Sequence, residues 1–345
     1  MNDFHSPDAF MAGEPVRLLI IGAGKMGDAH AAAFKAMNDV EIVGIVSRGG
    51  DSAQRLAARY DVPRWGGEWQ AVAEATRPHA CVVAVSHLLN EKITAEAVKY
   101  GLHTLAEKPV SLDGVRVRAL AKMAKEKGVI AMAAMNRRFY PSLTAAFEMV
   151  RFYGPVTGIT VIAPDPVSPY RATHKYDPAV YDNWTQMNTL HAIDLLRLVG
   201  GEIETLCGRI QHSAASDERS IAATIHFRSG ILGSFISYGS HSGQWEVRIH
   251  GDGVEAHLGP LEQGTVRIGN AAPLSLPNSE SRNGLKPGLL QQARAFVESI
   301  RELGYVAPPG SDFFDHACTM TLVEQLVKLP EITLVTYENG KVGKS

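Results

Sequence analysis

A glycine turn, a lysine and a histidine carry the chemistry that can be read in this chain of 345 residues. Residues Gly22-Ala23-Gly24-Lys25-Met26-Gly27 spell GxGxxG. In such a turn the first glycine ends a strand tightly, the second lets backbone approach a pyrophosphate, and the third lets the next helix pack closely. The helix aims unpaired N–H groups and the positive end of its dipole at the phosphates. Among 32 glycines the hexapeptide alone is a weak signal, and a ligand-free strand-to-helix turn is the plain alternative. Its position between an apolar run and a helical stretch favours the dinucleotide. At the end of the next apolar run, where an acidic residue would accept from the ribose hydroxyls of NAD, the chain has Ser47-Arg48 followed by two glycines. A hydroxyl and a guanidinium suit a 2′-phosphate, so NADP(H) is expected over NAD(H). The competing reading leaves Arg48 in solvent. Lys108 stands at the end of a later apolar run, where open α/β sheets place their ligands, and its ammonium can donate to a substrate oxygen. His191 sits in a helical stretch and titrates near neutrality, which suits exchange of a hydroxyl proton. Taken alone, Lys108 is a solvated side chain and His191 a packing residue. Asp194, three residues on, shares the helical face of His191 and can orient it or pair with Arg197.

The elements that must position these groups follow from periodicity. Short apolar runs at 17–21, 41–46, 63–65, 80–85, 103–106 and 130–133 alternate with amphipathic stretches at 26–37, 52–60, 91–100 and 112–127. That rhythm describes a doubly wound parallel sheet with helices on both faces, an α/β dinucleotide-binding (Rossmann) domain. Beyond Phe139 a helix at 143–152, a strand at 156–163 and a Pro- and Tyr-rich loop at 164–181 lead into a helix at 186–199. Strands at 204–212, 220–227, 231–238 and 245–250 follow, with tight turns Arg228-Ser229-Gly230 and Gly251-Asp252-Gly253 between them. They indicate a large, mostly antiparallel open sheet in an α+β domain. Helices at 289–302 and 313–328 are expected to cover one face of that sheet. The domains are therefore set as a 1–15 extension, a 16–136 nucleotide domain and a 137–345 substrate-binding and oligomerisation domain.

Composition removes several function classes. The length suits two domains at roughly 100–200 residues each. Hydrophobic residues at 45% and charged residues at 20% exclude a disordered chain. A balance of 34 basic against 36 acidic side chains, with no block of either sign, argues against nucleic acid or a membrane surface as partner. Cys81, Cys207 and Cys318 are too far apart for a metal knuckle and read as buried thiols. The thirteen histidines show no HxxxH or HExxH pairing, so no metal is assigned. The acidic first fifteen residues do not spell a secretory signal, and a cytoplasmic location is expected. Gly239-Ser240-His241-Ser242-Gly243 lacks the central serine of a nucleophile elbow, and Gly343-Lys344-Ser345 lacks the rest of a P-loop.

Glu107-Lys108-Pro109, taken with the glycine turn, His191-Ala-Ile-Asp194, Asn136-Arg137-Arg138-Phe139 and Asn90, resembles the Gfo/Idh/MocA family, the glucose-fructose oxidoreductase and inositol dehydrogenase group. The likeness spans most of the chain and is strongest over 16–200. It implies an NAD(P)-dependent dehydrogenase acting on a CH–OH group of a sugar, polyol or cyclitol, with Lys108 and His191 catalytic. Asn188, Thr189 and Asp194 would meet the substrate. The cofactor would lie along Gly22, Gly24, Lys25, Met26 and Gly27, with Ser47, Arg48, Ala84, Val85, Ser86, His87 and Asn90, and along Glu107, Lys108, Asn136 and Arg138. The resemblance further implies a homodimer or homotetramer and a cis Lys108-Pro109 bond. Many members have an acidic residue four positions before the histidine, where this chain has Met187, so the family's triad is incomplete here. The same architecture also supports glycoside cleavage through transient oxidation by a tightly held cofactor, and a dinucleotide-binding transcriptional repressor without catalysis.

Overall fold

The computed structural model describes residues 14–212, 218–239, 243–281, 284–330, 335–338 and 341–344. The first thirteen residues, and with them most of the expected extension, lie outside the described residues, as do Ser240–Ser242 and Ser345. The chain forms two compact units, one from the chain up to Thr144 plus Asn278–Thr321, the other from Ala145–Pro277 plus the residues from Leu322 on.

The first unit begins with β1 (Val16–Ile21), α1 (Lys25–Lys35), β2 (Val40–Val46), α2 (Asp51–Tyr60), β3 (Trp65–Gly66) and α3 (Trp69–Thr76). It continues through β4 (Ala80–Val83), α4 (His87–Tyr100), β5 (His103–Ala106), α5 (Gly114–Lys127) and β6 (Ala131–Ala133). β4 and β5 are buried at every residue, as strands covered on both faces must be. Pairing of β1 with β2 and β4, of β2 with β3, of β4 with β5 and of β5 with β6 is parallel throughout.

The second unit takes up α6 (Pro141–Tyr153), which begins in the first, and then β7 (Val156–Ile162), α7 (Ser168–Arg171), α8 (Pro178–Asp182) and α9 (Leu190–Gly200). β8 (Ile203–His212), β9 (Arg219–Phe227), β10 (Leu232–Ser237), β11 (Glu246–Gly251), β12 (Val254–Leu258), β13 (Gly264–Ile268) and β14 (Leu274–Ser275) follow. With β7 they form an eight-stranded sheet in the order β14-β13-β12-β11-β7-β10-β9-β8, antiparallel except at β7–β10. β9 alternates buried and exposed residues, the signature of a sheet with one covered face. α9, buried along nearly its whole length, packs on β7 and β10. The mostly antiparallel sheet thus appears as expected, with three more strands than the turn signals marked.

The chain then returns through α10 (Leu289–Glu298), β15 (Ser311–Asp312) and α11 (Phe313–Val327), and ends in a ribbon of β16 (Val335–Glu338) and β17 (Lys341–Lys344). β15 pairs antiparallel with β6 and completes a seven-stranded sheet, β15-β6-β5-β4-β1-β2-β3. Helix α10 does not cover the antiparallel sheet, as the sequence suggested. Its apolar face, Leu289, Ala293, Phe296 and Val297, enters the same core as Leu18, Ile20, Phe34 and Phe139, against α1. The amphipathic pattern of α10 shows only that it needs an apolar surface, not which one. The cysteines also need correction. Cys81 is buried, and burial pushes its thiol up to about 12. Cys207 is exposed on the edge strand β8 and Cys318 is half-buried.

Candidate functional sites in the two units

The glycine turn of the first unit is built by backbone. Gly22 has φ +114, a region L-residues avoid, and a Cβ there would run into the Ala84 carbonyl. A Cβ at Gly27 would run into the Gly22 carbonyl, so the third glycine lets α1 sit on the turn. At Gly24 an added Cβ meets nothing within 4 Å. Two of the glycines are thus required by the protein's own packing, and the second faces open space. Gly24 is also the N-cap of α1 and supplies no capping side chain, which leaves the first N–H groups of the helix for a ligand. The acidic residue of that first turn, Asp28, is engaged with Arg59 at 2.9 Å and the Tyr60 hydroxyl at 2.7 Å. A phosphate group fits this cradle.

Around the turn, β1 is tied to its neighbours by Gly22 N–H to the Val46 carbonyl and Ala84 N–H to the Ile21 carbonyl, both 2.7 Å. At the end of β2, the Ser47 hydroxyl accepts from Ala53 N–H at 3.0 Å and lies 2.6 Å from the Ser52 hydroxyl, so it fastens the start of α2. Arg48 is exposed beside it. A pocket of 320 Å³ lies against the turn, lined by Gly24, Lys25, Ser52, Arg55 and Arg59 among others. Arg55 and Ser52 were not singled out in the sequence; an α2 face reading S-x-x-R behind Ser47-Arg48 was the available signal.

At the end of β4, Ala84 is buried, Val85 and His87 are half-buried and Ser86 is the exposed N-cap of α4. Asn90, buried one turn into α4, donates to the carbonyls of Glu107 at 2.5 Å and Pro109 at 2.9 Å. It clamps the segment that holds Lys108, whose bond to Pro109 is cis as the resemblance implied. The Glu107 carboxylate accepts from His30 Nε2 at 2.8 Å and from Lys108 N–H at 3.2 Å. His30 is buried on α1, one turn after Met26, and no motif in the sequence marks it. Lys108 itself is half-buried at the carboxyl end of the sheet. Asn136 donates to the Pro287 carbonyl at 3.0 Å. The buried Arg138 guanidinium pairs with Asp315 at 2.7 Å and donates to the Pro309 and Gly310 carbonyls. Both therefore fix the returning chain to the turn after β6.

In the second unit, residues 185–189 form a π-helical turn that runs into α9, a departure from regular helix that often marks a functional site. His191 is 7% exposed and Asp194 is buried one turn on. Arg197 pairs with Glu202 at 2.6 Å. Met187 packs against an apolar cluster of Val167, Val180, Tyr181 and Trp184, where a carboxylate would lose its hydration. A carboxylate reaches this turn from the segment after β7. Asp165, 8% exposed, accepts from the Asn188 amide at 2.8 Å and the Thr189 hydroxyl at 2.5 Å. The Asp165 N–H is held by the Tyr238 carbonyl at 3.0 Å. Buried Glu218 accepts from the N–H groups of Val167 and Ser168, which fixes α7, and Arg219 donates to the Thr185 hydroxyl at 3.2 Å. Burial lowers the pKa of Arg219. In the 164–181 loop Tyr170 and Tyr181 stack around Trp184 with centroids at 4.8 and 6.3 Å. Asp165 lies 23 residues before Asn188, so no local spacing announces it.

Comparison with known proteins agrees with the fold. Residues 16–135 match the oxidoreductase family with an NAD-binding Rossmann fold, GFO_IDH_MocA. That match covers the nucleotide-binding part of the chain. The chain is 24% identical over 308 residues to the 4-carboxy-2-hydroxymuconate-6-semialdehyde dehydrogenase of Sphingobium sp. (strain NBRC 103272 / SYK-6), covering 83% of this chain and 91% of that one. It is 23% identical over 323 residues to the inositol 2-dehydrogenase of Rhizobium meliloti (strain 1021), covering 86% and 92%. Among solved structures, a levoglucosan dehydrogenase in complex with NADH shares the fold at TM-score 0.77 and 18% identity, covering 91% of this chain and 96% of that one. The match to an NAD-binding Rossmann fold, which spans the glycine turn, supports nicotinamide dinucleotide binding at the cradle. No helix among the described residues is long and apolar enough to cross a membrane.

Proposed function

We propose that this protein is an NADP(H)-dependent dehydrogenase that interconverts an alcohol and a carbonyl on a sugar, polyol or cyclitol. The observation that carries the reading is the open cradle at Gly24 on the same sheet edge as Lys108, in a chain whose other unit buries His191 beside a polar cluster. Bound along that edge, the nicotinamide accepts or supplies a hydride. Lys108 donates to the substrate oxygen and stabilises the charge that builds there when the hydroxyl is deprotonated. Clamped by Asn90 from below and braced by Glu107, the lysine is held in place before substrate arrives. His191 takes the hydroxyl proton in oxidation and returns it in reduction, a role suited to imidazole at neutral pH. Asp165 orients Asn188 and Thr189 toward substrate hydroxyls and supplies the carboxylate that position 187 lacks. The exposed Tyr170 and Tyr176 offer apolar ring faces for a sugar ring.

The preference for NADP(H) rests on Arg48 and Arg55 near the end of β2 and on the absence of an acidic residue at Ser47-Arg48. The homodimer or homotetramer and the cytoplasmic location belong to the same proposal. A panel of sugars and cyclitols tested for NADP(H)-dependent absorbance change decides the activity. Turnover is expected with at least one, lost in Lys108→Ala and in His191→Ala while cofactor binding persists. Retained turnover in both variants contradicts the assignment.

A further inference from the structure

Lys286 belongs by number to the far end of the chain but by position to the glycine turn. Its Nζ lies 3.3 Å from the sulfur of Met26, inside GxGxxG, across a sequence gap of 260 residues. The segment that carries it is fixed to the nucleotide unit on both sides. Ahead of it, the Ser279 hydroxyl accepts from Ser142 N–H at 2.8 Å. Behind it, Pro287 accepts from the Asn136 amide at 3.0 Å, and Gly288, with φ +76, packs so closely on the Asn136 carbonyl that a Cβ would not fit. The ammonium is therefore placed, not trailing in solvent.

Its surroundings suit an anion that is yet to arrive. The side chain is half-buried, and a thioether is a weak acceptor for an ammonium that has given up part of its water. Burial lowers its pKa first, the nearby Lys25 lowers it further, and Glu107 pulls it back up. Two cations, Lys25 and Lys286, thus stand near the open N-terminus of α1, whose own dipole is positive there. We propose that Lys286 is a cofactor-binding residue that donates to the diphosphate of the bound dinucleotide, closing the glycine cradle from the returning chain. This rests on the dinucleotide occupying that cradle.

The test is cofactor binding without substrate, by titration of wild type, Lys286→Met, Lys286→Gln and Lys286→Arg with NADH, NADPH and ADP-ribose. All three ligands carry the diphosphate. The methionine and glutamine variants, which keep most of the side chain's length and remove its charge, are expected to weaken all three by about the same factor of ten, 1.4 kcal/mol. Arginine is expected to restore most of the affinity. Thermal melts identify any variant that fails to fold, and the remaining one carries the comparison. Unchanged affinity in a folded methionine or glutamine variant overturns the proposal. So does a loss confined to NADPH, which would place the ammonium at the 2′-phosphate. Wild type that binds neither dinucleotide overturns the reading beneath it as well, and that failure is seen before any variant is made.

Discussion

The two sites are assembled by opposite means. In the nucleotide unit the working surface is mostly backbone: glycines that leave room, a helix start without a capping side chain, and carbonyls clamped by Asn90. In the second unit it is mostly side chains drawn from separate segments, with Asp165, Glu218 and Arg219 converging on the turn and loop before His191. Backbone devices tolerate almost no added volume. Side-chain clusters fail by degrees, one hydrogen bond at a time. Substitutions in the first unit should therefore threaten folding and cofactor binding together, whereas those in the second should separate catalysis from both.

The sharpest contrast is inside the glycine turn. Gly22→Ala puts a Cβ against the Ala84 carbonyl at a positive φ, and is expected to lower stability by about 3 kcal/mol or more and to abolish dinucleotide binding. Gly24→Ala enters open space, and should change stability by no more than ~0.5 kcal/mol while still weakening the cofactor. Denaturant melts and cofactor titration of the pair check both, and equal stability losses would contradict the division of roles.

Acid should also weaken the first unit. His103 in β5 is held down to about 4 by burial first and His79 second, and its Nδ1 accepts from Ile130 N–H at 2.9 Å, which requires the neutral ring. Because the folded pKa lies below the unfolded value of about 6.5, the unfolded chain binds the proton first. Stability is then lost as pH falls from about 6.5 toward 4, and levels off below that. The shift corresponds to an order of 3 kcal/mol at most. Melts of wild type and His103→Gln across this range measure it, and parallel curves would rule the effect out.

A smaller effect is expected at Asp165. Asparagine cannot accept from both Asn188 and Thr189 as the carboxylate does, a loss of about 1–3 kcal/mol of charge-assisted hydrogen bonding. Asp165→Asn should lower kcat by roughly 10- to 100-fold and leave cofactor affinity in the other unit unchanged. A variant with normal kcat would remove Asp165 from the reaction.

The same contrast governs how much could be read in advance. The glycine turn, the apolar strands behind it and Glu107-Lys108-Pro109 are contiguous, so local spacing describes them. The helical placement of His191 is legible because it lies within one amphipathic stretch. The sequence shows that stretch as a single helix, however, and the π-turn at 185–189 is invisible to a periodicity of 3.6. Asp165, 23 and 24 residues from its two donors, and Lys286, 260 residues from Met26, meet their partners only through the fold. The apolar face of α10 was visible but its partner was not, because burial patterns carry no address. Strands β12 to β14 were missed where short runs such as Val254–Leu258 alternate over only five residues.

The central claim is that Lys108 and His191, one from each unit, act on the same substrate at a bound nicotinamide. A double-mutant cycle on the hydride-transfer step, with Lys108→Met, His191→Ala and the pair together, tests it most directly. Each single variant is expected to slow the step by roughly 100-fold or more, and the pair by little more than either alone. Fully multiplicative losses would mean that the two side chains work independently, and the account would be wrong.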